Sequence, residues 1–120
     1  MPSAPSGCVL RRMNATARST PAAGAATSLE DCSKALQLDS SNAATYDSRG
    51  LIYLKTGQVA AAIDDYSSAL RLDPKLASAL YGRGLAKLKQ GDKAGGDTDI
   101  SAAKTIQADI GDDFTRYGVR

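Results

Sequence analysis

The apolar positions in the middle of the chain form two helical stripes separated by a turn signal. In residues 43–56 the apolar positions are 46, 50, 51, 53 and 54, which lie on one side of a helix. Gly57 then marks a helix end, because glycine readily adopts the left-handed conformation found there. In residues 59–72 one helical face carries Ala62, Ile63, Tyr66, Ala69 and Leu70. Pro74 stops this second helix, so the pattern predicts two antiparallel helices joined by a tight turn.

The same pattern returns 34 residues further along the chain. Residues 43–76 and 77–110 are identical at 11 of 34 positions, including Arg49/Arg83, Gly50/Gly84, Leu54/Leu88, Gly57/Gly91, Asp65/Asp99 and Ala69/Ala103. In the second copy Gly91 is the helix stop, and Asp92 is a good N-cap for the next helix. A period of this length is typical of a solenoid, whose units bury their apolar faces against one another. We therefore predict an all-α fold with helices near 29–38, 43–56, 59–72, 77–90, 93–106 and 109–117.

The repeated unit resembles the tetratricopeptide repeat, a 34-residue helix–turn–helix with the pattern W-x2-L-G-x2-Y, then A-x3-F and a closing Pro. The first full unit supplies Tyr46, Arg49, Gly50, Tyr53, Ala62, Tyr66, Ala69 and Pro74 at these places. The second unit retains Leu80, Gly84, Gly96, Ile100 and Ala103, and it departs at Lys87 and Ala108. The resemblance covers about residues 29–118 and implies a right-handed α-solenoid of antiparallel helix pairs.

These patterns divide the chain into an N-terminal extension and a repeat domain. The repeat domain, residues 29–118, comprises a half unit (29–42), two full units (43–76 and 77–110) and the start of a capping helix (111–118). It amounts to about two and a half units plus a C-terminal cap, for which Phe114 and Tyr117 are the expected anchors. Within the units we expect Tyr66 and Ile100 to fill the seam toward the following unit.

The N-terminal extension, residues 1–28, has a different composition from the rest. It holds three of the four prolines and is rich in Ala, Ser and Thr, which predicts disorder. Its arginines without acids would also suit a targeting peptide, so the compartment is left open, although the overall composition is that of a soluble protein and slightly favours the cytoplasm. No apolar run approaches the ~18–20 residues of a membrane span.

Charge and residue types argue against catalysis and against nucleic acid as the partner. Residues 30–120 hold 12 basic and 13 acidic side chains, so the repeats offer no excess positive charge to a phosphate backbone. The chain has no histidine, and its two cysteines lack zinc-ligand spacing. We interpret the acids Asp64, Asp65, Asp97 and Asp99 as a solvated face. We therefore predict no enzyme, and no catalytic, cofactor or metal site.

The resemblance implies a concave face lined by the first helix of each unit. The positions expected to face inward predict a peptide-binding groove formed by Asp47, Ser48, Leu51, Lys55, Ser78, Tyr81, Gly82, Leu85 and Lys89. Tyr81 and Leu85 are apolar there without an evident role in the fold. Family members that clamp acidic tails use Lys, Asn and Arg at places held here by Asp47, Ser48, Leu51 and Gly82, which argues against that ligand. The hypothesis is a non-catalytic protein–protein interaction module, or scaffold, that binds a peptide or partner helix.

Three alternatives remain open from the sequence. The first is an RNA-binding repeat of the pentatricopeptide kind, although the strict 34-residue spacing and the charge argue against it. The second is a truncated repeat fragment without independent activity. The third is self-association, because the leading half unit lacks a first helix to cover Leu29, Cys32 and Leu36. No motif identifies the partner protein.

Overall fold

The computed structural model describes residues 29–119, apart from the side chain of Glu30. This part of the chain is entirely helical outside its turns. Its helices are α1 (Leu29–Leu38), α2 (Ala43–Lys55), α3 (Val59–Leu72), α4 (Ala77–Lys89), α5 (Lys93–Ile106) and α6 (Ile110–Arg116). The predicted all-α fold is confirmed, with helix ends that agree to within one residue. The prediction of disorder for residues 1–28 falls outside the described residues.

The expected start and stop signals are used where the sequence places them. Gly57 and Gly91, which follow α2 and α4, adopt positive φ angles of 84° and 93°. This conformation would strain any residue that carries a Cβ atom. The carboxylate of Asp92 accepts a hydrogen bond of 2.9 Å from the backbone N–H of Gly95, in the first turn of α5. Asn42 caps α2 in the same way through Thr45. These local contacts fix the short connections that turn each helix back along its neighbour.

The helices stack in the order of the chain. Each packs against the next from α1 to α6, and α2 also packs on α4, as α4 does on α6. This arrangement is that of a solenoid, because α2, α4 and α6 form one layer, and α3 and α5 each pack against two successive helices of that layer. The layer that contains α2, α4 and α6 positions the candidate site. The handedness and the division into units remain predictions.

Tyr66 on α3 lies at the centre of the core and is fully buried. Its ring fills the space left by two glycines on the neighbouring helices. A Cβ atom at Gly50 on α2 would lie 3.0 Å from Tyr66 Cε1, and one at Gly82 on α4 would lie 2.3 Å from Tyr66 Cζ. Tyr66 therefore joins the two helix pairs as expected, because glycines on both sides admit its ring.

Two equivalent polar clusters, each made of a serine, an arginine and an aspartate, tie three successive helices together. In the first, Arg49 on α2 donates to Asp65 on α3 at 2.7 and 2.9 Å, and to Ser33 on α1 at 3.1 Å. In the second, Arg83 on α4 makes the same contacts with Asp99 on α5 and Ser67 on α3. All six residues follow the 34-residue period. Bidentate arginine–carboxylate pairs of this kind fix geometry as well as charge.

These clusters correct the interpretation of the acids as a solvated face. Asp65 and Asp99 are only 5% exposed, and each pairs with an arginine, whereas Asp64 and Asp97 are exposed as expected. Asp99 also accepts a hydrogen bond from Lys87 at 3.1 Å. Burial tends to raise the pKa of Asp99, but the hydrogen bonds from Arg83 and Lys87 outweigh it and lower the pKa. The arginines at the place where the repeat pattern has leucine are therefore structural.

The face of α1 expected to be uncovered is closed in the structure. Cys32 is fully buried, and Leu36 is only 9% exposed. Leu29, at the start of the helix, is half-buried. The expectation that Cys32 and Leu36 form an uncovered apolar face is therefore wrong, and self-association remains a prediction.

Candidate functional site

A small pocket lies beside the layer formed by α2, α4 and α6. Its volume is about 90 Å³, and its walls are Ala44, Asp47, Ser48, Leu51, Tyr66, Ser78, Phe114 and Tyr117. Helix α2 provides the first four of these residues, because they lie on one face at i, i+3, i+4 and i+7. Ala44 is exposed, whereas the other walls are buried or half-buried, so the pocket opens beside Ala44.

The carboxyl group of Asp47 is the charged group of this pocket. The hydroxyl of Ser78 on α4 donates to Asp47 Oδ2 at 2.7 Å and so connects the first helices of the two pairs. None of the other lining residues is basic. Burial raises the pKa of Asp47 to about 6, although the hydrogen bond from Ser78 acts to lower it. Asp47 therefore remains mainly ionised at neutral pH in a site with little compensating charge.

Tyr66 also lines the pocket. Its hydroxyl is buried and has no hydrogen-bond partner among the described residues. Burial, and then the negative charge of Asp47, raises the pKa of Tyr66 well above its ordinary value, so the phenol stays protonated. Residues 29–119 thus leave hydrogen-bonding capacity unfilled at the Asp47 carboxylate and at the neutral hydroxyl of Tyr66.

Helix α6 completes the pocket from the C-terminal side. Phe114 is buried against Tyr81 of α4, with ring centroids 4.8 Å apart, and it meets Tyr117 edge-on at 5.4 Å. Phe114 and Tyr117 anchor the cap as expected. This packing corrects the interpretation of Tyr81 as an apolar residue that the fold does not require, because its ring supports the cap.

The structure brings together only part of the predicted groove around the pocket. Asp47, Ser48, Leu51 and Ser78 line the pocket. The remaining predicted groove residues lie outside it and are Lys55, Tyr81, Gly82, Leu85 and Lys89. Lys55 and Lys89 are exposed at the ends of their helices, and Leu85 packs half-buried against the core. Gly82 is buried against Tyr66 and offers no side chain to a ligand.

Sequence reasoning missed three aromatic walls of the pocket, namely Tyr66, Phe114 and Tyr117. All three were expected to be core or cap residues, which they also are. The one available signal is at position 117, where a tyrosine occupies the place of Arg49 and Arg83. The contact itself depends on how α6 crosses α4, and no periodic pattern encodes that path.

Residues 29–119 contain no cluster of three or more His, Cys, Asp or Glu side chains that could hold a metal ion. No helix in the same range has the length and apolar character needed to cross a membrane. The arrangement around Asp47 offers hydrogen bonds, one negative charge and aromatic surface, which suits binding.

Comparison with models of protein families gives a match. Residues 50–91 match the family model described as TPR repeat. The matched stretch runs from Gly50 on α2 to Gly91 after α4, and it includes the whole of α3 and the core residue Tyr66. Comparison with curated proteins found no match to the chain.

Proposed function

Because this chain is a tetratricopeptide repeat protein, and such repeats generally mediate protein–protein interactions, we propose that it binds a protein segment along the face of α2 and α4. The bound segment would be a peptide or one partner helix. The protein would act as a non-catalytic scaffold, in keeping with its repeat family.

The main support is the pocket in which α2 and α4 meet. The Asp47–Ser78 hydrogen bond lies in its wall, and the opening beside Ala44 gives access from solvent. A recess with apolar walls and a few polar groups is typical of sites that take a side chain of a bound segment. Exposed Lys55 and Lys89 at the ends of the two helices would form a polar rim around it.

The proposal is tested on the full chain with a displayed library of random peptides. Selected peptides are synthesised and their affinities are measured by calorimetry, with micromolar dissociation constants expected. The first variant, Ala44→Arg, places a large side chain at the pocket opening without replacing a core residue. The second, Lys55→Glu with Lys89→Glu, reverses the charge at the rim.

The matched control is Arg71→Glu with Lys104→Glu, which makes the same charge change at exposed positions near the ends of α3 and α5. We expect Ala44→Arg to weaken peptide binding at least tenfold, the rim variant to change the affinity severalfold in the direction set by the charge of the peptide, and the control to leave it unchanged. If the control weakens binding and neither groove variant does, the binding surface lies on α3 and α5 and the proposal fails.

A further inference from the structure

We propose that the pocket beside Ala44 receives the ammonium group of a lysine side chain from the bound protein segment. This inference rests on the proposed function and names the side chain that the face of α2 and α4 selects. It is carried by four features of the pocket: its charge, its unfilled hydrogen bonds, its aromatic walls and its size.

Charge is the first feature. The Asp47 carboxylate is partly withdrawn from water, accepts a hydrogen bond from the neutral hydroxyl of Ser78, and shares the pocket with no basic side chain. A carboxylate in such surroundings is costly unless a cation or several donors compensate it. The raised pKa of Asp47, about 6, reflects this cost. A cation entering the pocket would relieve it, whereas an anion would increase it.

The hydroxyl of Tyr66 is a second and independent observation. It is buried and has no hydrogen-bond partner in residues 29–119, and it belongs to a residue that lines the same pocket. An ammonium group carries three N–H donors and no acceptor. It can donate to the Asp47 carboxylate and to the Tyr66 phenol oxygen at the same time.

The aromatic walls suit the same group. Tyr66, Phe114 and Tyr117 border the pocket, and the last two rings meet edge-on at a centroid distance of 5.4 Å. Cations are attracted to the faces of aromatic rings, more strongly when water is excluded. Aromatic rings and Leu51 would also cover the methylene groups of a lysine stem, which lysine commonly buries along apolar surface.

Size favours lysine over arginine. With a volume of about 90 Å³, the pocket has room for only a few water-sized groups. An ammonium with its adjoining methylene groups is compact and fits such a space. The guanidinium of arginine is a broad planar fork whose donors suit bidentate partners, and a single carboxylate bonded to Ser78 does not match it well.

The test uses nuclear magnetic resonance on the full chain and needs no identified partner. The probe is lysine capped at both ends as its N-acetyl N-methylamide. The controls are the equally capped norleucine, which has a similar stem without the charge, and the capped arginine. We expect the lysine probe to shift signals of Asp47, Ser78, Tyr66 and Phe114 with a millimolar dissociation constant. Norleucine and arginine should bind at least fivefold more weakly.

Two variants separate the pocket from the rest of the molecule. Asp47→Asn keeps an acceptor for Ser78 but removes the charge, and it should weaken lysine binding at least tenfold. Asp97→Asn removes an exposed carboxylate that pairs with Lys93 on α5, and it should leave binding unchanged. Tyr66→Phe keeps the ring and removes the hydroxyl, and it should weaken binding two- to fivefold. Circular dichroism confirms that each variant retains its helices.

Saturation with the lysine probe should also lower the pKa of Asp47, measured from its side-chain carbon signal, because a nearby cation favours the charged form. The inference is overturned if norleucine binds as well as lysine, if Asp47→Asn binds lysine unchanged, or if the pocket signals do not respond. In that event, the proposed function would still be supported if Ala44→Arg weakened peptide binding. Conversely, the proposed function alone would be rejected if lysine bound in the pocket but Ala44→Arg left the peptide affinities unchanged.

Discussion

Gly82 on α4 leaves the space that the ring of Tyr66 on α3 occupies. A Cβ atom at position 82 would lie 2.3 Å from Tyr66 Cζ and 2.5 Å from its hydroxyl oxygen. Non-bonded contacts of Cβ atoms are essentially never this short. The glycine has a helical backbone, so its role here is to let the ring approach. The two helix pairs therefore pack closely because the large ring of Tyr66 lies where Gly82 has no side chain.

The first prediction tests this fit by a double-mutant cycle. Gly82→Ala should destabilise the protein by about 2 kcal/mol, within the ~1–3 kcal/mol cost of overpacking a core, although alanine favours a helix. In a Tyr66→Leu background, whose smaller side chain frees the space, the same change should cost much less. Urea unfolding of the four proteins measures the coupling. Equal costs of Gly82→Ala in both backgrounds would show that the ring does not set the spacing of the helices.

The second prediction compares the two arginine clusters. Arg49→Leu should cost about 3 kcal/mol, because it leaves the Asp65 carboxylate buried without its cation. Arg83→Leu should cost about 1 kcal/mol less, because Lys87 still pairs with Asp99. At the place equivalent to Lys87 the first repeat has Tyr53, whose ring lies under Arg49 at 5.8 Å and bears no positive charge. The measurement is the free energy of unfolding at pH 7.

A control for this comparison is Arg83→Leu combined with Lys87→Leu. This double variant should be at least as unstable as Arg49→Leu, since Asp99 then loses both cations. If Arg83→Leu alone proves more destabilising than Arg49→Leu, Lys87 does not compensate the buried carboxylate.

The third prediction concerns the pH dependence of stability through Asp47. The pKa of Asp47 in the folded protein, about 6, lies above its ordinary value. The contribution of Asp47 to the free energy of unfolding is therefore most favourable at low pH and is lost as the pH rises toward 6 and above. Asp47→Asn should therefore stabilise the protein at pH 7.5 relative to pH 4. The gain is at most about 3 kcal/mol, since one pKa unit corresponds to ~1.36 kcal/mol and the residue keeps some contact with water.

Urea unfolding of both proteins at pH 4 and pH 7.5 gives this difference directly. The comparison with the variant cancels the contributions of the other carboxyl groups, which titrate alike in both proteins. Asp97→Asn is the matched control and should change the free energy of unfolding by the same small amount at both pH values. A gain from Asp47→Asn that is equal at pH 4 and pH 7.5 would mean that Asp47 is not desolvated in the folded protein.

The fourth prediction addresses the cap. Phe114→Ala removes the ring that packs on Tyr81, and truncating a buried aromatic typically costs ~3–5 kcal/mol. Hydrogen exchange should accelerate throughout residues 110–116, while α3 keeps most of its protection. Phe114→Leu, which retains apolar volume, should have a smaller effect. Unchanged exchange in α6 of Phe114→Ala would show that Tyr117 and Val119 suffice to hold the cap.

The helices were predictable because their signals are local. Apolar spacing and the stops at Gly57, Pro74 and Gly91 fixed their limits to within one residue. The burial of Asp65 and Asp99 was missed, because neighbouring acids were judged by their own helices alone. The sequence did contain a signal: an arginine and an aspartate, 16 residues apart, recur together in both repeats. Opposite charges retained in register across a repeat indicate a contact between helices.

The pocket was predictable only in part, for a different reason. Asp47, Ser48 and Leu51 share a helical face, and such a face can be derived from spacing alone. The position of Phe114 beside them depends on how α6 crosses α4, and Phe114 is more than 60 positions away from these three residues in the chain. Contacts at that separation follow from the accumulated geometry of the stack, so the enclosure of Asp47 could not be inferred from the sequence.

The two Ser–Arg–Asp clusters connect the helices from α1 to α5, but neither of them includes α6. Each cluster fastens three helices, and α3 belongs to both, so a force pulling the helices apart is resisted by charged bonds from α1 to α5. A third cluster would need an arginine at position 117, where this chain has Tyr117, and the matching Ser101 is exposed. Helix α6 is attached instead through the Phe114 and Tyr117 rings, which close the pocket around Asp47. Loss of this ring packing would open the pocket, so a ligand bound beside Asp47 would depend on the attachment of α6.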